Sequence, residues 1–224
     1  MKYLTIISLA ASFFLISEAS SAKTQGSYIT AEALKTHVRF YERYYNDNNL
    51  GGTRERVSHQ GTDNYGAGLS YKFAFNYRGL FFAPGIFAEK HEARSDGFIS
   101  TSGRDWQRME IRNRYGIKSD IGFDLGIVAP YLTGGYSSIA YRNRNFNKNS
   151  VSSGGINKGN AKDFFYGAGF KIDIPRTYIS LNFEYNANNF YAKTNTNPAT
   201  NNNNFKAEFR TKFDIFKLGF SYNF

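Results

Sequence analysis

The chain has 224 residues, with 28 Lys and Arg against 18 Asp and Glu, 22 Phe, 17 Tyr and no Cys. Beyond residue 22 no apolar run approaches the ~20 residues of a membrane-spanning helix, which excludes a helical membrane protein. The aromatic content excludes a largely disordered chain, and the absence of Cys excludes disulfide cross-links. The mean hydropathy of −0.50, beside so many aromatic residues, is the average that alternating apolar and polar residues produce.

Residues 1–22 have the pattern of a secretory signal peptide. A short basic start (MKY) precedes the apolar stretch LTIISLAASFFLIS at residues 4–17, and small residues (SSA) end at Ala22. Cleavage is expected after Ala22, with Ala19 as the alternative site. An uncleaved anchor is disfavoured because the stretch is short for a membrane span and no run of positive charge follows it.

The mature chain alternates apolar and polar residues in eight segments. From Tyr65 to Phe73 apolar residues alternate with Gly, Ser and Lys, and the tetrapeptide Tyr-Gly-Ala-Gly of this segment returns at residues 166–169. A period of two predicts β-strands. The strands are predicted near residues 27–37, 65–73, 82–91, 108–118, 128–136, 164–172, 178–185 and 216–224. The pattern of the first is imperfect because Leu34 follows Ala33 out of phase.

The predicted connections alternate in length. Short connections lie near residues 76–79, 119–122 and 173–176, and long ones rich in Asn, Gly, Ser and charge lie near 38–62, 93–106, 137–161 and 186–206. This asymmetry, with an even strand number, predicts an all-β fold, an eight-stranded antiparallel up-and-down transmembrane β-barrel spanning residues 23–224. Both chain ends are then expected on the side of the short turns.

The two faces of the strands distinguish a membrane barrel from a soluble one. One face carries large aromatic and aliphatic residues, which suit lipid, and the other carries Gly and charged residues, which suit a narrow polar lumen. The charged residues predicted to face the lumen are Lys72, Glu89, Arg108, Glu110, Arg112, Arg114, Lys118, Lys171 and Glu184. In the alternative, a soluble barrel or sandwich, the aromatic face would form the core and these charges would be solvated.

The signal peptide, the two Tyr-Gly-Ala-Gly strands, the segment APYLTGGY at residues 129–136 and the ending LGFSYNF resemble small outer-membrane barrels of the opacity-protein and OmpA-membrane-domain kind. The resemblance covers the whole mature chain. It implies a location in the outer membrane of a Gram-negative bacterium, among lipid and lipopolysaccharide. It also implies insertion by the outer-membrane assembly machinery, which would read the terminal residues Phe220, Tyr222 and Phe224.

An eight-stranded barrel has an interior just wide enough to be filled by side chains, so an open pore is not expected. Charges in such a space must be paired to be tolerated, and we therefore expect an ion-paired network in the lumen. Its predicted members are Glu89, His91, Arg108, Glu110, Arg112 and Arg114. Separately solvated charges in a wet lumen, or a narrow channel, are the alternatives.

Small barrels also include lipid A-modifying enzymes and proteases with a site at the rim. Such sites require a His that activates a Ser or water and is oriented by a further polar group. The chain has three His, at positions 37, 59 and 91, without a family motif around them. We therefore predict no catalytic residue, and the absence of a Cys or His cluster predicts no metal and no cofactor.

The predicted long connections are basic and aromatic, a combination that recognises anionic sugars and phosphates by charge and stacking. The residues predicted to bind anions are Arg54, Arg56, Arg142, Arg144, Lys148 and Lys158. The expected partners are lipopolysaccharide phosphates and host-surface glycans or proteins, which indicates a structural and adhesive surface protein. Nucleic acid is not an expected partner of an exported chain, and in the alternative the polar connections only solubilise the surface.

Overall fold

The computed structural model describes residues 24–46, 54–58, 63–98, 105–147, 156–196 and 205–224, and the regular elements in these ranges are β-strands. The predicted signal peptide lies outside them. No helix in this part of the chain is long and apolar enough to cross a membrane. The strands are β1 (Gly26–Asn46), β2 (Arg54–Ser58), β3 (Asp63–Tyr77), β4 (Leu80–Phe98), β5 (Asp105–Phe123), β6 (Val128–Asn147), β7 (Ile156–Asp173), β8 (Ile179–Thr196) and β9 (Phe205–Asn223).

The strands form one closed antiparallel barrel, as predicted. Each strand from β3 to β9 pairs with its sequence neighbour, and β1 closes the sheet between β9 and β3. The short strand β2 pairs with the far half of β1, in line with β3, so the barrel has eight strand positions. Following the paired residues once around the barrel from Tyr28 returns to Val38, ten residues along β1. A closed barrel with this stagger tilts its strands by about 35–45°.

Both chain ends lie beside the short turns. The Phe224 N–H donates to the Ser27 carbonyl oxygen at 2.9 Å, next to the connections at residues 124–127 and 174–178. The tightest turn joins β3 to β4 through Arg78 and Gly79, with φ of 52° and 85°. Positive φ at both central residues matches the right-handed twist of a hairpin, and Gly adopts it without steric cost. We call this the short-turn end, and the opposite one the long-connection end.

The strands are longer than the sequence predicts. Residues 38–46, 93–98, 137–147, 156–161 and 186–196, predicted within the long connections, lie in paired strands. The barrel therefore corrects the predicted connection boundaries. The physical reason is that pairing with a neighbouring strand satisfies the backbone even where Asn, Ser and Arg give weak β-propensity. Because a strand needs only about 9–11 residues to cross a bilayer, strands of 15 to 21 residues extend well beyond one.

The faces of most strands match the prediction. Outward-facing Ile117, Phe164 and Phe220 are 62%, 74% and 59% exposed, whereas Phe165 is buried in the lumen. In β1 alternation is unbroken, because Leu34 faces the lumen with the other even-numbered residues. The prediction that Leu34 interrupts the phase is therefore wrong.

The lumen-facing prediction is also wrong for part of β5. The register against β6 passes from Ile111–Tyr141 to Asn113–Ala140, so Arg112 is an extra residue. Such a bulge shifts the alternation, and Met109 and Ile111 are consequently buried inside the barrel. The residues that alternate with them, Arg108 and Glu110, face outward, and so does the exposed Arg112.

Side chains fill the lumen in three layers. An apolar cluster lies toward the long-connection end and comprises Leu34, Val38, Ala93, Met109, Ile111, Ile139, Ala161, Phe190, Phe213 and Ile215. A second lies toward the short-turn end and comprises Tyr28, Ala74, Phe81, Ala83, Ala129 and Tyr131. Buried charged side chains occupy the space between them.

Candidate functional site

The charged layer of the lumen is balanced. Among the described residues, five acidic and five basic side chains are buried there, besides His91. They are Glu32, Glu89, Asp120, Asp173 and Glu184, and Lys72, Arg114, Lys118, Lys171 and Lys217. Buried charges are tolerated when they are paired and hydrogen-bonded, and this set makes such pairing possible without a net charge.

Six of these residues form what we call the central ion cluster: Glu32, Glu89, Glu184, Arg114, Lys118 and Lys217. Lys217 Nζ joins all three carboxylates, at 2.6 Å from Glu89, 3.0 Å from Glu184 and 3.6 Å from Glu32. Lys118 Nζ lies 3.2 Å from Glu184 and 3.5 Å from Glu32. The cluster links β1, β4, β5, β8 and β9 across the lumen.

Arg114 is the most enclosed cation of the cluster, with no exposed surface. Its Nη1 donates to Glu89 Oε2 at 2.9 Å and its Nε donates to Ser137 Oγ at 3.3 Å. The guanidinium carbon lies 4.1 Å from the Phe165 ring centroid and 4.6 Å from that of Phe87. These cation–π contacts partly replace the lost hydration of the charge.

Two further ion pairs lie toward the short-turn end. Lys72 pairs with Asp120, and Lys171 Nζ is 3.3 Å from Asp173. Both lysines lie near the Tyr28 ring, at 5.7 Å and 5.2 Å from its centroid. These two ion pairs extend the charged layer toward the apolar cluster at the short-turn end.

His91 connects the central ion cluster to β1. Its Nδ1 is 3.0 Å from Thr36 Oγ1 and its Nε2 is 3.0 Å from Glu89 Oε2. A hydroxyl, an imidazole and a carboxylate in this order resemble the arrangement that activates a nucleophile. Thr36, His91 and Glu89 are all buried, with 1%, 3% and 4% exposure. They lie on the short-turn side of the apolar cluster at the long-connection end. The arrangement gives both nitrogens of the imidazole a polar partner.

The structure brings together half of the predicted lumen network. Glu89, His91 and Arg114 are in contact, whereas Arg108, Glu110 and Arg112 face outward because of the bulge in β5. Of the other members, Lys118 and Glu184 are among the charges that the sequence predicts in the lumen, but they are not in the predicted network. Sequence reasoning missed Glu32 and Lys217. Each of these two lies between apolar residues in its strand, which is the signal that could have identified them.

The predicted anion-binding residues lie on the wall near the long-connection end. Arg142 in β6 is directly opposite Lys158 in β7, and both side chains face outward. Arg144 is in β6 and pairs with Arg108, while Arg54 and Arg56 are in β2. Lys148 lies outside the described residues. Five of the six are thus strand residues, which corrects their predicted place in connections.

The outward face of this end is strongly basic. We define the outer wall by the charged, outward-facing side chains beyond the last outward aromatic residues of each strand. The basic members are Lys35, Arg39, Lys90, Arg94, Arg108, Arg112, Arg142, Lys158, Lys162, Arg210 and Lys212, and the acidic members are Asp63, Glu92, Glu110 and Asp214. Among the side chains that the structure describes, eleven positive charges against four leave an excess of seven. Because the lumen is balanced, most of the chain's formal charge of +10 lies on this surface.

One ion pair of the outer wall joins β1 to β3. Lys35 Nζ is 2.8 Å from Asp63 Oδ2, and His37 Nδ1 is 3.0 Å from Asp63 Oδ1. The hydrogen bond to Lys35 lowers the pKa of Asp63, and the same bond raises the pKa of Lys35. The Asp63 carboxylate therefore offsets the charge of Lys35.

The C-terminal residues form an outward row on β9. Phe220, Tyr222 and Phe224 are 59%, 55% and 65% exposed, and the rings of the last two stack with centroids 6.4 Å apart. The alternation that the sequence predicts is therefore present in the folded barrel. The role of these residues in recognition by the assembly machinery stays a prediction, which an assay of outer-membrane insertion with Phe224→Ala would test.

Residues 6–224 match the family described as "Outer membrane protein beta-barrel domain". Among curated proteins, no sequence matches this chain. The fold is similar to OprG from Pseudomonas aeruginosa, with a TM-score of 0.60, 11% identity, and coverage of 90% of this chain and 97% of OprG. Two other solved structures are similar at lower TM-scores. Neisserial surface protein A has a TM-score of 0.40, 15% identity and coverage of 92% and 100%, and Ail of Yersinia pestis has 0.38, 13%, and 86% and 99%.

Proposed function

Because this chain belongs to the outer membrane protein beta-barrel domain family, and is thus a transmembrane barrel of the outer membrane, we propose that it is a closed surface protein without enzymatic activity. Its proposed function is adhesive, through basic side chains at the long-connection end, which by the usual topology of such barrels faces outside the cell. The single observation that carries the proposal is the charge distribution. The lumen is neutral and buried, whereas the outer wall has an excess of seven positive charges.

The packing of the lumen supports a closed barrel. A conducting path would have to pass both apolar clusters and the central ion cluster, in which Lys217 binds three carboxylates. Moving ions through this layer would separate buried ion pairs, which is strongly unfavourable.

We expect the purified protein in a planar lipid bilayer to show no discrete conductance steps. The physical reason is that the three packed layers leave the charged groups paired with one another rather than with water. As a control for contaminating porins, protein from the same preparation is unfolded in urea before it is added to the bilayer. Stable steps that appear only with the folded protein would contradict a closed lumen and favour the narrow-channel alternative.

The adhesive part of the proposal rests on the positive charge of the outer wall and on the distance by which the strands extend beyond the bilayer. The strands continue far beyond the length that a bilayer requires, so the part of the outer wall nearest the long-connection end extends into the surroundings of the cell. A dense set of positive charges attracts sulfated or carboxylated glycans over several ångströms and steers their encounter. Host-surface glycosaminoglycans have this chemistry.

Heparin is a suitable probe of this function. Cells that display the double variants R54Q/R56Q or R144Q/K148Q should bind heparin about fivefold or more weakly, because each exposed ion pair is worth up to about 1 kcal/mol. The matched control is R78Q/R176Q, which removes two exposed charges from the short-turn end. Equal binding by the variants, the control and the parent would contradict adhesion through these residues.

An enzymatic function is the weaker candidate because the Thr36, His91 and Glu89 arrangement is buried. Its test is the lipid A of cells with and without the protein, compared by mass spectrometry. We expect an identical acyl pattern, and an altered pattern would overturn the non-enzymatic proposal.

A further inference from the structure

A groove on the outside of the barrel runs across β5, β6 and β7 near the long-connection end. Its volume is about 420 Å³, and Arg112, Asn113, Arg142, Lys158 and Asn160 contribute to its lining. We call it the β5–β7 groove. Three of these five side chains are cationic and two are amides, so the groove offers hydrogen-bond donors to an anion.

The bulge in β5 creates this arrangement. In a regular strand two successive residues point to opposite faces, but the register shift at Arg112 leaves both Arg112 and Asn113 exposed on the outer surface. Arg142 and Lys158 are directly opposite each other on the next two strands. The bulge thus adds a third cation to a pair that the sheet register already places together. Bulges commonly re-aim side chains in this way at functional positions.

The electrostatics of the groove favour an anionic ligand. One row of paired outward residues runs Arg94, Glu110, Arg142 and Lys158 across β4 to β7, and Arg112 lies beside it. The row and Arg112 together carry four positive charges against the single carboxylate of Glu110. In addition, the Nε of Arg142 is shielded from solvent and has no hydrogen-bond partner among the described residues. An unpaired, shielded donor is costly, and an anion in the groove would satisfy it.

The position of the groove relative to the membrane interface indicates which molecule supplies the anion. Arg112 is three residues beyond the outward-facing Tyr115, about 10 Å along the strand at ~3.3 Å per residue, and Lys158 is six residues beyond Phe164. Outward aromatic residues of this kind mark the interface between the hydrocarbon and the head groups. The groove therefore begins at the level of the head groups, at Arg112, and continues outward along the barrel wall to Lys158, about 20 Å beyond Phe164 at ~3.3 Å per residue.

We propose that the β5–β7 groove binds a phosphate group of the phosphorylated glycolipid in the surrounding leaflet, with Arg112, Arg142 and Lys158 as the phosphate ligands. Guanidinium groups match the geometry of phosphate oxygens and form two parallel hydrogen bonds with them. The site anchors one lipid molecule to one face of the barrel. It shares no residue with the variants that test adhesion, which change Arg54, Arg56, Arg144 and Lys148.

The test measures binding of bisphosphorylated lipid A to the full mature protein folded in detergent micelles, by native mass spectrometry or thermophoresis. The variant R112Q/R142Q/K158Q should bind about tenfold or more weakly, because charge-assisted hydrogen bonds to phosphate are lost. The matched control R39Q/R210Q/K212Q removes three outer-wall charges from β1 and β9 and should change binding less than about threefold. Heat-modifiable migration on a gel verifies that each variant is folded.

Additional arms of the experiment identify the ligand chemistry. Fully dephosphorylated lipid A should bind about tenfold or more weakly than the bisphosphorylated form, and equal binding would overturn phosphate recognition. Inorganic phosphate that binds as tightly as lipid A would overturn the assignment to a lipid. An equal loss in the groove variant and in its control would overturn the groove as the site. Heparin binding by the parent protein separates the two proposals, since a parent protein that binds heparin but not bisphosphorylated lipid A contradicts the glycolipid site alone.

Discussion

Replacing Arg114 with Leu is expected to lower the free energy of unfolding by about 3–5 kcal/mol, because removal of one partner leaves an uncompensated buried charge. The guanidinium donates to Glu89 at 2.9 Å and lies against the Phe165 and Phe87 rings. Leu fills part of this space but supplies no charge for Glu89. Urea-induced unfolding in lipid vesicles, followed by the mobility of the folded form on a gel, measures the loss.

The matched control is Arg112→Leu, two residues away in the same strand. Arg112 is exposed on the outer surface, and surface substitutions of this kind change stability by about 0.5 kcal/mol or less. Similar losses of unfolding free energy for the two variants would contradict the outward orientation of Arg112. Arg112 would then lie in the lumen, which is what the alternation of the sequence predicts.

Replacing Gly169 with Leu is expected to destabilise the barrel by at least about 3 kcal/mol, beyond the usual range for overpacking. A side-chain Cβ at this position would lie 2.7 Å from the Tyr131 hydroxyl oxygen and 2.5 Å from the backbone oxygen of Phe183. The Tyr131 ring is packed in the lumen and the Phe183 carbonyl belongs to the neighbouring strand β8, so the strands of the barrel would have to move apart. The yield of the heat-modifiable folded form after refolding into lipid measures the effect.

Ala168→Leu provides the matched control for this prediction. Ala168 precedes Gly169 and its side chain faces outward, where a larger apolar residue contacts lipid. We expect a refolding yield equal to that of the parent protein, since apolar residues suit the lipid-facing band. A stronger defect in Ala168→Leu than in Gly169→Leu would contradict the assignment of faces in β7.

The comparison of β7 with β5 shows how far local patterns reach. In β7 every outward residue from Phe164 to Phe170 and the inward Phe165 follow from alternation alone. In β5 the same reasoning is correct at Arg114 and Lys118 but fails at Arg108, Glu110 and Arg112. The failure has a single cause, one extra residue at Arg112. No local feature of the sequence marks this residue, because the bulge is defined by the pairing of β5 with β6.

The extent of the strands is a second property that local patterns do not provide. The segments around Arg142 and Lys158 contain many Asn, Ser and Gly residues and predict connections. They are nevertheless strands, because the segment around Arg142 is hydrogen-bonded to β5 and β7 and the segment around Lys158 is hydrogen-bonded to β6. This difference changes the interpretation of the basic residues, which belong to a regular wall with a defined register rather than to separate loops.

The sequence by itself determined the class of fold and the division of the chain into a lipid face and a lumen face, because a period of two is a local property of each strand. Only the tertiary structure decided which charges meet. Glu89 and Lys217 are 128 positions apart and come within 2.6 Å, and Tyr28 and Val38 are connected by one circuit of the barrel. Pairing, stagger and the bulge at Arg112 are relations between strands, and they separate a neutral lumen from a positively charged outer wall.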